Sequence, residues 1–112
     1  MKLSIITPTH KLTYIHELYE SIKNQTYSDW EWVLYLNGKA KRKDLLDEIL
    51  HDKRVSIYED RKKHKNSTNV GYLKNKAFSL GKGDALLEVD HDDLITPNCL
   101  EEVAKAFIEN PN

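Results

Sequence analysis

Residues 85–93 read Ala85-Leu86-Leu87-Glu88-Val89-Asp90-His91-Asp92-Asp93. A short, mostly apolar run of this kind reads as a strand buried in a sheet. Three carboxylates within four residues then mark its end. Beyond them, Thr96 is expected as an N-cap and Pro97 as the first helical residue. Leu100, Val103, Ala104, Phe107 and Ile108 follow at helical spacing and predict one apolar stripe. The unit is a strand, an acidic turn and a helix.

The same unit recurs three times upstream. Leu3-Ser4-Ile5-Ile6-Thr7 predicts a first strand stopped by Pro8, and Ile15, Leu18, Tyr19 and Ile22 mark a helix face. Residues 25–29 are polar and turn-like. Trp32-Val33-Leu34-Tyr35-Leu36 predicts a second strand, closed by Asn37-Gly38, with Leu45, Leu46, Ile49 and Leu50 as the next helix face. Val55-Ser56-Ile57-Tyr58 predicts a third strand. After a polar stretch, Leu73, Ala77 and Leu80 suggest a third helix ended by Gly81 and Gly83. Strands separated by helices pair in parallel. Four β–α units therefore predict an α/β fold, a Rossmann-like doubly wound parallel sheet, over one domain of residues 1–112.

Composition narrows the function. Lys and Arg total 17 against 18 Asp and Glu, so the net charge of −1 gives no whole-molecule attraction for nucleic acid. The single cysteine, Cys99, excludes an intrachain disulfide and zinc sites built on cysteine pairs, and fits a reducing, cytoplasmic compartment. No apolar run approaches the length of a transmembrane helix, and the N-terminal run is too short for a signal peptide. The basic run Arg61-Lys62-Lys63-His64-Lys65 reads as a solvated loop, or as a contact with phosphate or with the inner face of an anionic membrane.

In such a sheet, ligands bind beyond the carboxyl ends of the strands. Those ends carry Thr7-Pro8-Thr9-His10, Asn37-Gly38, Glu59-Asp60 and Asp90-His91-Asp92-Asp93. Crowded carboxylates repel one another, and a hard divalent cation relieves that cost. A solvated acidic turn fits the spacing of Asp90, Asp92 and Asp93 equally well. Asp90 and Asp92, two apart at an extended strand end, are expected to face one ligand, with Asp93 pointing elsewhere unless the chain turns at once. His10 and His91 read as neighbours of the site. Asn69-Val70-Gly71, with Lys74 and Lys76 beyond, reads as a capped helix start with a basic face, or as an anion site.

Taken together, these stretches resemble the start of an inverting family-2 glycosyltransferase with the GT-A fold. The carriers are Leu3-Ser4-Ile5-Ile6-Thr7-Pro8-Thr9-His10; Ser21-Ile22-Lys23-Asn24-Gln25-Thr26-Tyr27 followed by Trp30-Glu31-Trp32-Val33; Asn69-Val70-Gly71 with Lys74-Asn75; Gly81-Lys82-Gly83-Asp84; and Val89-Asp90-His91-Asp92-Asp93 with Pro97 and Leu100-Glu101. The resemblance implies that the chain is the donor-binding half of an enzyme that moves a sugar from a nucleotide-diphosphate sugar to an acceptor hydroxyl. A carbohydrate or lipid-linked acceptor in cell-envelope polysaccharide synthesis would fit. It implies Mn2+ or Mg2+ on Asp90 and Asp92, and a nucleotide-sugar site drawn from Thr7, Pro8, Thr9, Asn37, Asn69, Lys74, Asp90, His91 and Asp92.

Lys74 stands where the family usually has an arginine near the phosphates, which keeps the charge but not the bidentate fork. Leu36-Asn37-Gly38-Lys39 replaces the family's Asp-Asp-Gly-Ser, so Asn37 offers the base a carbonyl acceptor without a charge. The catalytic base is expected beyond residue 112, which makes residues 1–112 alone inactive, and the surface meant for a missing half predicts a homodimer. A non-catalytic nucleotide-sugar module is the other reading. An Asp-based phosphotransferase would need an Asp after the first strand, where Thr-Pro-Thr-His stands. A dinucleotide-dependent dehydrogenase would need Gly-x-Gly-x-x-Gly there.

Overall fold

The computed structural model describes residues 1–60 and 70–109, with the backbone alone for residues 70–72. In chain order the elements are β1 (Leu3–Thr9), α1 (Ile15–Lys23), β2 (Trp30–Leu36), α2 (Asp47–Leu50), β3 (Val55–Glu59), α3 (Val70–Ser79), β4 (Ala85–Glu88) and α4 (Cys99–Glu109). The four strands form one sheet in the order β3-β2-β1-β4, every pair parallel. The chain thus steps from β1 outward to β3, then returns to the other side of β1. The gap between β1 and β4 is the point where strand order reverses.

Side chains alternate across the sheet and divide the core in two. On one face Leu3, Ile5, Trp32, Leu34 and Leu36 pack under α1, α2 and α4 through Ile15, Leu18, Ile22, Ile49, Leu100 and Ala104. Trp32 is fully buried there and stacks on Tyr19 at 6.0 Å between ring centroids. On the other face Ile6, Val33 and Tyr35 pack under α3 through Leu73, Ala77 and Phe78.

Several boundaries differ from the sequence expectation, and at the end of β1 and the start of α4 the reason is tertiary. β1 runs through Pro8 to Thr9 instead of stopping at Pro8. The Ile6 carbonyl accepts from Val89 N, and the Thr9 carbonyl accepts from Asn37 N, so even-numbered residues of β1 turn their backbone groups toward β4. β4 pairing ends at Ile6 with Glu88, so the missing Pro8 N–H faces a side where no strand continues. β2 begins at Trp30, two residues early. The expected second helix is a 3-10 turn (Arg42–Asp44) followed by one α turn, with Leu45 and Leu46 extended between them and Leu46 exposed.

α4 starts at Cys99, after Thr96 and Pro97 rather than at them. The Thr96 carbonyl accepts from Cys99 N and from Gln25 Nε2, and its hydroxyl donates to Asn98 Oδ1. The cap comes instead from Gln25, whose Oε1 accepts from Leu100 N at 2.9 Å. Gln25 also donates to the Ser21 carbonyl, so one amide ties the end of α1 to the start of α4. The apolar stripe of α4 is buried only in its first half; Phe107 and Ile108 are 43% and 68% exposed.

At the amino ends of the strands a polar network closes the sheet. Ser4 and Glu31 are register partners on β1 and β2. Glu31, 9% exposed, accepts from Ser4 Oγ and from Lys82 N, while Ser4 Oγ accepts from Gly83 N at 2.7 Å. Lys2 N donates to Asp84 Oδ2, and Asp84 N donates back to the Lys2 carbonyl. A Cβ on Gly83 would sit 2.7 Å from both the Lys2 carbonyl oxygen and Ser4 Oγ, so this approach requires glycine.

Candidate functional site

The strand-order reversal brings the carboxyl ends of β1, β2 and β4 to one place. Thr7 fixes the two central strands there. Its hydroxyl donates to the Val89 carbonyl at 2.8 Å and accepts from Trp32 Nε1 at 2.9 Å. Thr7 is fully buried and Thr9 is 1% exposed. The Thr9 hydroxyl donates to the Lys11 carbonyl and accepts from Lys11 N, shaping the turn after β1. Both hydroxyls are therefore used inside the fold. Thr7 and Thr9, expected as ligand contacts, hold the wall of the site, and half-buried Pro8 lies between them.

Past Val89 the chain leaves the strand and turns at once, with Asp93 N donating to the Asp90 carbonyl at 3.1 Å. This overturns the extended geometry expected for the acids. The turn carries Asp93 back beside its neighbours, and carboxylate oxygens of Asp90, Asp92 and Asp93 all lie within 4.8 Å of one another. All three side chains are exposed, and among the described residues none makes a side-chain hydrogen bond or an ion pair. Three converging hard oxygen donors without an internal partner form a set that a hard divalent cation can use, with water or a ligand completing the shell.

The rim is built by histidines that composition did not distinguish. His10 and His91 meet edge to face at 5.4 Å between ring centroids. Gly38, at a φ of 60°, closes the turn after β2, and a Cβ there would lie 3.5 Å from His10 Cβ. Asn37 N donates to the Thr9 carbonyl at 2.9 Å, and the Asn37 carbonyl accepts from Ala40 N. The Asn37 side chain is half-buried beside this rim. At the end of β3, Glu59 accepts from Arg42 N and Asp60 from the Tyr35 hydroxyl, so those acids serve the fold.

Lys74, on α3, reaches the edge of the site from the other face of the sheet. Its ammonium lies 2.9 Å from Glu88 Oε1, the last residue of β4. The hydrogen bond to Glu88 raises the Lys74 pKa above the ordinary lysine value, with the charges of Glu88 and Asp90 adding to it. Asn69 and the basic run from Arg61 lie outside the described residues.

The comparisons with known proteins agree with this geometry. The family model described as Glycosyl transferase family 2 matches residues 4–112. The O-antigen biosynthesis protein RfbC of Myxococcus xanthus is 29% identical over 97% of this chain and 9% of its own length. The glucosyl-dolichyl phosphate glucuronosyltransferase of Haloferax volcanii is 27% identical over 100% of this chain and 36% of its own. Among solved structures, S. aureus TarS 1–349 in complex with UDP-GlcNAc superposes with a TM-score of 0.83 and 25% identity, over 99% of this chain and 32% of that one. The chain thus spans about a third or less of the length of each of these relatives. Among the described residues no helix is long and apolar enough to cross a membrane.

Proposed function

The chain belongs to glycosyl transferase family 2, and from that premise we propose that residues 1–112 form the part of a sugar-transferring enzyme that binds the nucleotide-sugar donor. The observation that supports this reading is the acidic turn: three carboxylates without a partner among the described residues converge where strand order reverses, the place at which such sheets take their ligands. Asp90 and Asp92, joined by Asp93, would hold Mn2+ or Mg2+. The bound cation would supply charge neutralisation for the leaving nucleoside diphosphate.

The chain's own residues would do the rest. The rim of His10, His91 and the Asn37-Gly38 turn would receive the nucleoside, with Asn37 offering an acceptor or donor to the base. Lys74 would place a positive charge beside the diphosphate, stabilising the charge that develops as the sugar–phosphate bond breaks. The attacking group would be an acceptor hydroxyl on a carbohydrate or lipid-linked sugar, with a polysaccharide of the cell envelope as the product. We assign the general base to no residue of 1–112, so this stretch alone is expected to bind donor without turning it over. TarS is known in complex with UDP-GlcNAc, which makes UDP the first nucleotide to test.

Calorimetric titration with UDP, in Mn2+ and then in excess chelator, tests the reading. Two or three carboxylates leave most of an octahedral shell open, so cation and diphosphate should strengthen each other's binding. UDP should bind at least about tenfold more tightly with the cation, roughly 1.4 kcal/mol. Asp92→Ala should remove that gain. Equal affinity with cation and chelator would reduce the cluster to an acidic turn.

A further inference from the structure

Glu88 has no place in the chemistry above, yet it is a charged residue on a strand whose neighbours are apolar. It is half-buried on the α3 face of the sheet, level with Ile6 of β1. Its carboxylate holds the Lys74 ammonium at 2.9 Å across the α3–β4 interface. Asp90, the first acid of the turn, stands two residues further along the same chain, and its charge acts on Lys74. Lys74 has a long stem with four rotatable bonds and is half-exposed. Left free, such an ammonium would explore many positions, or fold onto the unpartnered acids and compete with a cation.

We propose that Glu88 is a positioning residue for the donor site, which fixes the Lys74 ammonium beside the acidic turn and keeps it off Asp90, Asp92 and Asp93. An ammonium has three donors, so one bond to Glu88 leaves two for phosphate oxygens. Holding it in place in advance removes an ordering cost from donor binding. The inference rests on the donor-site reading given above and adds to it a residue outside the acidic turn.

The sign of one substitution tests it. Glu88→Gln keeps size and shape but removes a negative charge close to where an anion binds. If Glu88 acted by charge alone, UDP in saturating Mn2+ would bind more tightly to the variant. If Glu88 positions Lys74, UDP should bind about three- to tenfold more weakly to it. In a Lys74→Met background the same change should have no weakening effect, because there is no ammonium left to place. Tighter or unchanged binding in Glu88→Gln overturns the inference, as does equal weakening in both backgrounds. Thermal denaturation of each variant, alone and with UDP and Mn2+, separates loss of fold from loss of position. Absence of UDP or GDP binding by the parent chain would overturn the donor-site reading itself, a result distinct from a wrong sign in the variant.

Discussion

The acids at the amino end of the sheet and those of the turn after β4 are treated in opposite ways. At the amino end, Glu31 is buried and accepts from Ser4 Oγ and Lys82 N, and Asp84 is bonded to Lys2 N. At the carboxyl end, Asp90, Asp92 and Asp93 converge within 4.8 Å without a donor among the described residues. A carboxylate supplied with N–H and O–H donors stabilises the fold that supplies them. Carboxylates that face only each other raise the energy of the folded state, and a bound cation would offset that cost. Acidity alone therefore does not mark a site; the donor supply around the acid does.

The sharpest way to break this contrast is at the amino end. Glu31→Ala removes one acceptor and leaves Lys82 N–H and the Ser4 hydroxyl proton without an acceptor, while Ser4 Oγ still accepts from Gly83 N. A loss of about 3 kcal/mol is expected, from two hydrogen bonds to a charged group. Urea denaturation reads it directly, and UDP affinity of the folded fraction should not change. Denaturation at the parent's midpoint would show that the network is only decoration.

At the carboxyl end the same kind of change should have the opposite effect on stability. Replacing Asp90, Asp92 and Asp93 together by Asn relieves their mutual repulsion. Without metal, stability should rise by up to about 1 kcal/mol, the scale of exposed charge interactions. In return, any stabilisation of the parent by Mn2+, seen as a rise in Tm, should disappear. A large loss of stability in the triple variant would mean that these acids, too, belong to the fold.

The smallest effect concerns Asp52, another amino-end acid, just before β3. Burial pushes its pKa up, but hydrogen bonds from Arg54 and Tyr19 outweigh this and hold it below the ordinary carboxylate value. Burial, with help from Asp52, pushes the Tyr19 hydroxyl up to about 12, so it remains a donor throughout the accessible range. A lowered carboxylate pKa contributes stability above its unfolded value of about 4, and that contribution is lost as pH falls through the folded value. The stability difference between the parent and Asp52→Asn should hold steady from about pH 5 to 8 and shrink below about pH 4. Its size should stay under about 1 kcal/mol, because Arg54 is half-exposed. A difference that grows on acidification would reverse the assignment.

Hydropathy patterning was enough to predict the order of strands and helices, because each unit carries its own period. The errors fall where the deciding partner is far away in the chain. Pro8 stays in its strand because β4 has already ended beside it, which no local pattern reveals. α4 begins at Cys99 because Gln25, about 75 residues upstream, caps it. Within the site, the acids and Lys74 could be read from spacing and resemblance. Asp93 joined the cluster only through a turn, and Thr7 proved to be a brace only through Trp32 and Val89. Glu88 looked like one polar residue in an apolar strand until α3 was laid over it.

The segment bearing the acids is fastened at both of its ends. Thr7 grips Val89 across 82 positions of sequence, and Gln25 grips Thr96 and Leu100 across 71 and 75. As the chain leaves the ribosome, β1, α1 and β2 exist long before either fastening has a mate. Until β4 arrives, one side of β1 is a bare parallel edge of the kind that invites pairing with another chain. Closing such long loops comes late in folding, since their entropy must be lost before the contacts form. The candidate site is thus the last part of this stretch to be built during synthesis, and its completion coincides with the covering of that edge.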